Sequence, residues 1–131
     1  MASIPASHRD LLEAPVGTLA TIGPDGSPQL TVVWFIPDGD ELKLSFNAKR
    51  QKVRNLRARP DASFLIIDPD EPLRYVELRG RISLEDDSDR TVAARVGAKY
   101  GAGDMSGFDA PEDVRVAATL TPVKVHAVDE R

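Results

Sequence analysis

The chain has 131 residues, 41% of them hydrophobic and 29% charged, with a net charge of −4. That length supports one core, burying about two-thirds of the unfolded surface, and the composition excludes a disordered or fibrous chain. With no cysteine there is no disulfide scaffold, thiolate metal site or cysteine nucleophile, and no apolar run reaches the roughly 20 residues of a membrane span.

The opening residues MASIPASHRDLLEA carry no signal-peptide core, so a cytoplasmic protein with a single domain over residues 1–131 is expected. Ser7 predicts the N-cap of a short helix from His8 to Ala14 that Pro15 ends. Val16 to Ile22 reads as a buried strand, and Pro24-Asp25-Gly26-Ser27 as a turn. Gln29 to Ile36 is a second strand, antiparallel to the first because so short a link cannot cross over. A tight turn at Asp38-Gly39-Asp40 leads into a third strand, Leu42 to Phe46.

Lys49 to Arg59 has strong helix formers and Pro60 closes it, with Val53 and Leu56 on one apolar stripe. Ala62 to Ile67 is an interior strand, residues 68–72 a loop, and Arg74 to Leu84 a strand whose Gly80 marks a bulge or bend. A helix starting from Asp86 or Ser88 runs to Tyr100, where Gly101-Ala102-Gly103 stops it. Residues 104–112 read as an ordered loop, and Val114 to Val128 as a long last strand broken or bulged at Pro122. Mainly β structure with added α-helices, five to seven antiparallel strands in all, suggests a small β-barrel.

The strongest local signal is charge. Lys49, Arg50, Lys52, Arg54, Arg57 and Arg59 fall in eleven residues without a single acid, inside an acidic chain. Asn47 sits where an N-cap would, and a helix N-terminus offers free N–H groups and partial positive charge. Basic side chains in that first turn oppose the dipole unless an anion binds between them, so a phosphate-like anion is expected there. His8 and His126 lie near opposite ends of the chain, so no metal site is expected, and the serines lack a nucleophile-elbow setting. The overall acidity, and aromatics that do not interleave with the basic helix, argue against a nucleic-acid partner. Trp34, Phe35, Phe46 and Tyr75 fall on strands, where most aromatics are core; Trp34 and Tyr75 stand out because each has a polar atom that needs a partner when buried.

Taken in order, GTLATIGPDGSPQLTVVWF, LKLSFNAKRQKVRNLRARPDASFLI and YVELRGRISL resemble the pyridoxamine 5′-phosphate oxidase-like split-barrel flavoproteins, and within them the branch that uses the deazaflavin coenzyme F420. The resemblance spans about Leu11 to Val128. It implies a six-stranded antiparallel split β-barrel, flavin-reductase-like, that forms a homodimer with cofactor grooves at the dimer interface. It implies that Arg50 and Lys52 grip the cofactor phosphate, that Gln51 and Val53 give main-chain contacts, and that Arg54 and Asn55 reach the tail or brace the site. Gln29 and Thr31 would lie along the ring, Phe46 and Asn47 would approach it from the third strand, and Tyr75 would come from the neighbouring subunit.

F420 carries a phosphodiester and a polyglutamate tail, which suits six bases better than the single phosphate of FMN, the alternative cofactor. The expected reaction is hydride transfer from the reduced deazaflavin to an electron-poor conjugated small molecule such as an enone, quinone or pigment. No side chain is obligatory as an acid, although Tyr75 or Thr31 is placed to polarise a carbonyl. The alternatives are an FMN-dependent oxidase or reductase, and a non-catalytic barrel that sequesters a flavin, haem or tetrapyrrole.

Overall fold

A computed structural model describes all 131 residues. Seven strands form one antiparallel sheet: β1 (Gly17–Ile22), β2 (Pro28–Val33), β3 (Ile36–Asp38), β4 (Glu41–Asn47), β5 (Asp61–Ile67), β6 (Arg74–Asp86) and β7 (Arg115–Asp129). Their order across the sheet is β2-β1-β5-β6-β7-β4-β3. Leu19 of β1 and Leu44 of β4 are separated by three strands in that order, yet both belong to one buried cluster with Phe64, Ile66, Val76, Leu78, Val116 and Leu120. The sheet therefore coils around a single core, with every second residue of β1, β4 and β5 buried. Helix α1 (Gln51–Ala58) adds Val53 and Leu56 to that core, and the first segment adds Leu11 and Leu12. No helix is long and apolar enough to cross a membrane.

The strand count is one more than expected, because the second strand does not continue through Phe35. The Phe35 N–H donates to the Tyr100 hydroxyl at 3.0 Å, and the same hydroxyl donates back to the Phe35 carbonyl at 3.1 Å. Lys99 Nζ donates to that carbonyl as well, at 3.0 Å, and to the carbonyls of Leu12 and Ala14. With both of its main-chain groups taken by side chains of helix α2 (Thr91–Tyr100), Phe35 leaves the ladder, and β3 restarts against β4. Its ring is fully buried, edge-on to Phe64 at 5.2 Å.

Two boundaries at the helices also differ from expectation. The first segment is a 3₁₀ helix, Ala6–Glu13, preceded by Pro5, and Ser7 does not cap it; Ser7 Oγ bonds His8 Nδ1 at 2.8 Å. Helix α2 starts at Thr91 because β6 runs on to Asp86. The buried Asp87 carboxylate then accepts the N–H groups of Val92 (3.1 Å) and Ala93 (2.8 Å), satisfying two orphan donors of the first turn. Gly97 of this helix lies against the Gly103 carbonyl, where an added Cβ would sit 1.9 Å from the oxygen. Only glycine at 97 lets residue 103 approach the helix so closely.

The long β6–β7 ladder carries the expected bulge. Its register shifts at Arg79/Gly80, leaving Val123 without an opposite residue, and Pro122 faces Gly80. A Cβ at Gly80 would meet the Thr121 carbonyl at 2.1 Å, so only glycine lets the strands approach there.

Candidate functional site

Helix α1 starts at Gln51, two residues later than the basic run suggested, with Arg50 at the N-cap position and no side chain capping it. Asn47 is not the cap. Its Oδ1 accepts the Lys49 N–H at 3.0 Å, and its Nδ2 donates to Asp109 (3.1 Å) and Asp113 (2.9 Å). The Val53 and Arg54 N–H groups both bond the Arg50 carbonyl. Those of Gln51 and Lys52 have no acceptor in the protein, so two donors at the positive end of the helix dipole are free.

The bases around those donors are mostly without acids. Lys49 pairs with Asp113 at 2.6 Å. Arg54 turns back onto Gln51 Oε1 and the Lys49 carbonyl, both at 2.9 Å, and Arg59 donates to the Gly23 carbonyl. Arg50, Lys52 and Arg57 have no acidic partner. Lys52 lies 5.3 Å above the Phe46 ring; burial, and then repulsion from Arg50, push its pKa below the ordinary lysine value. A bound anion would offset both effects by favouring the charged amine.

Lys49, Arg50 and Lys52 form one wall of a cavity of about 920 Å³. Strands β2 and β4 supply its floor with Thr31, Val33, Ser45, Phe46 and Asn47, and the opposite wall is apolar, made of Trp34, Met105 and Phe108. Trp34 stacks on Tyr100 at 4.2 Å and nearly parallel, and Phe108 meets its edge at 6.0 Å. Ser45 Oγ is buried on the floor with no hydrogen-bond partner. A buried hydroxyl left unpaired is costly unless a ligand answers it. Two free N–H groups, two unpaired bases and an unanswered hydroxyl fit a phosphate-bearing cofactor with a polar ring.

Behind the cavity lies a buried charge network. The Asp109 carboxylate, 1% exposed, accepts from Arg115 Nε (3.0 Å), Arg90 Nη1 (3.0 Å) and Asn47. Burial pushes the Asp109 pKa up, but the Arg115, Arg90 and Asn47 hydrogen bonds outweigh it and hold the group below the ordinary carboxylate value. Asp113 is held at about 2 by Lys49, the Ala110 N–H and Asn47. Because that value lies below the unfolded one, the Asp113 contribution to stability is complete above about pH 4. It is lost as the pH falls toward 2. Urea midpoints measured from pH 6 to 2 should therefore decline for the wild type and decline less steeply for Asp113→Asn; parallel curves would remove Asp113 from the acid response.

Of the residues expected at the site, Thr31, Phe46, Asn47, Arg50 and Lys52 line the cavity. Gln29, Gln51 and Asn55 do not, and their side chains form an amide relay instead, while the Gln51 N–H expected to make a main-chain contact is free at the helix start. Buried Asn55 donates to Gln29 Oε1 (2.9 Å) and Thr21 Oγ1 (3.0 Å) and accepts from Gln51 Nε2 (2.8 Å), pinning α1 to β1 and β2. Val53 is fully buried and its N–H is already bonded within the turn, so it has no main-chain donor to offer. Arg54 covers the helix start without reaching the cavity. Tyr75 lies half-buried on β6 between Ile67 and Val128, away from this cavity. Sequence reasoning did not single out Ser45, Met105, Phe108, Asp109, Asp113 or Arg115, which only the folded chain brings to the cavity.

The profile of the pyridoxamine 5′-phosphate oxidase family matches residues 4–129. The chain is similar to a solved F420 reductase, at 32% identity over 94% of this chain and 98% of that one, with a TM-score of 0.79. It is similar to a conserved hypothetical protein from Mycobacterium tuberculosis, at 30% identity over 100% of this chain and 88% of that one, with a TM-score of 0.78. It shares its fold alone with HutZ, a heme storage protein from Vibrio cholerae, at 16% identity, 97% and 96% coverage and a TM-score of 0.73.

Proposed function

The chain belongs to the pyridoxamine 5′-phosphate oxidase family, and on that premise we propose that it is an F420-dependent oxidoreductase acting on an electron-poor conjugated small molecule. The observation that carries this reading is the run of bases around the two free N–H groups at the start of α1, which exceeds what one phosphate needs. The similarity to an F420 reductase supports it. When bound, the deazaflavin supplies the hydride. Arg50 and Lys52, with the Gln51 and Lys52 N–H groups, hold the phosphate, and unpaired Arg57 lies further along the same helix for a tail carboxylate. Ser45 Oγ hydrogen-bonds a polar ring edge, and Trp34, Met105 and Phe108 keep water from the acceptor. No side chain is assigned as an acid, since an enolate product takes its proton from solvent.

FMN is the competing cofactor, because Arg50, Lys52 and the two N–H groups alone suffice for its phosphate. Paired titrations with F420 and FMN at low and moderate salt separate the two. We expect F420 to bind at least tenfold more tightly than FMN, with the steeper salt dependence of a polyanion. A preference for FMN would overturn the cofactor assignment while leaving the family intact.

A further inference from the structure

We propose that Phe108 and Trp34 form the seat of the electron acceptor and select flat, uncharged ring systems; this rests on the hydride-transfer reading above. Phe108 is 67% exposed on the short turn Ser106–Phe108. The chain has two non-glycine residues with positive φ, Arg90 (58°) and Met105 (64°), and both grip this turn. Arg90 donates to the Asp104 carbonyl and to Asp109, on either side of it. Met105 is buried with Ala93 and Val96. Left-handed backbone at such residues persists only where the surroundings over-determine it, and it gathers at ligand sites. Phe108 thus presents its ring to solvent and to the cavity, its plane 77° from that of Trp34.

The geometry of the two rings defines what fits. The planes of Trp34 and Phe108 are 77° apart, and Trp34 is backed by the parallel ring of Tyr100. Two aromatic planes near a right angle form a corner that a third flat ring enters by stacking on one and meeting the edge of the other. No free carboxylate faces this wall to hold a cationic acceptor, because Asp109 is shared by Arg90 and Arg115 and Asp113 pairs with Lys49, whereas the unpaired bases stand across the cavity on α1. Anionic groups are drawn to α1, and the apolar corner is left to a neutral conjugated ring.

Trp34 is the only tryptophan, so its emission reports on the corner directly. Menadione, a flat uncharged quinone, is titrated into the full-length protein with and without F420, following Trp34 quenching. Acrylamide serves as a control for simple exposure. Saturable quenching is expected, with affinity falling about five- to tenfold in Phe108→Ala, the range of one lost aromatic contact, and restored in Phe108→Tyr. In turnover, Phe108→Ala should raise KM for menadione about five- to tenfold, and Phe108→Tyr should bring it back to the wild-type value. Equal menadione affinity in wild type and Phe108→Ala, or quenching that never saturates in either cofactor state, would overturn the seat. Saturable, Phe108-dependent binding without F420 affinity would uphold the seat and overturn the cofactor reading. F420 binding without any Phe108 effect would do the reverse.

Discussion

Asp109→Ala is expected to lower stability by about 3 kcal/mol, the low end of the cost of leaving a buried charge without its partner. The low end applies because Arg90, 22% exposed, can turn partly into water, whereas Arg115 at 7% cannot. Arg115 and Asn47 occupy opposite positions on β7 and β4, so Asp109 ties the loop to both strands of the cavity wall. For a chain of this size that loss corresponds to a thermal midpoint lower by about 10 °C. Calorimetry on the variant checks it, and a midpoint within a degree or two of wild type would show that the network does not hold the loop. The double variant Asp109→Leu/Arg115→Met supplies the control, since replacing both members of a buried pair by apolar groups of similar volume is often nearly neutral. It is expected to regain more than half of the lost stability.

The strands were legible because their inward residues alternate, and the bulge because glycine and proline at facing positions have few other uses. The break at Phe35 was not legible. It is made by Lys99 and Tyr100, more than sixty residues away, and nothing in TVVWFI itself interrupts a strand. The basic segment at the start of α1 was legible for the opposite reason, since six bases within one short segment are a local pattern. Asn55 shows the limit of local reading: the residue stands in the basic motif, but its amide is spent on Thr21 and Gln29, found only once β1 and β2 are folded against α1. Asp109, Asp113 and Arg115 were hidden in the same way. In sequence they are ordinary charges where a loop passes into a strand, and only the fold brings Asn47 and Arg90 to Asp109.

Replacing both Arg50 and Lys52 by alanine is expected to weaken F420 binding by at least a hundredfold, as two charge-assisted hydrogen bonds worth about 1.5–3 kcal/mol each are removed. The same variant should be no less stable than wild type. Neither side chain has an acidic partner, Lys52 is disfavoured in its charged form by burial and by Arg50, and both stand at the positive end of the α1 dipole. Removing each charge there gains a few tenths of a kcal/mol where no anion is bound. These opposite signs distinguish a binding site from a structural helix face. A basic face that served packing or solubility would lose stability on truncation and leave F420 affinity unchanged. Urea denaturation of the unliganded protein and F420 titration of the same preparation give both signs. The slope of log affinity against log salt should also fall in the variant, because two fewer charges meet the ligand. A destabilised variant with undiminished F420 affinity would remove α1 from the binding site and leave the proposed cofactor without a place on this chain.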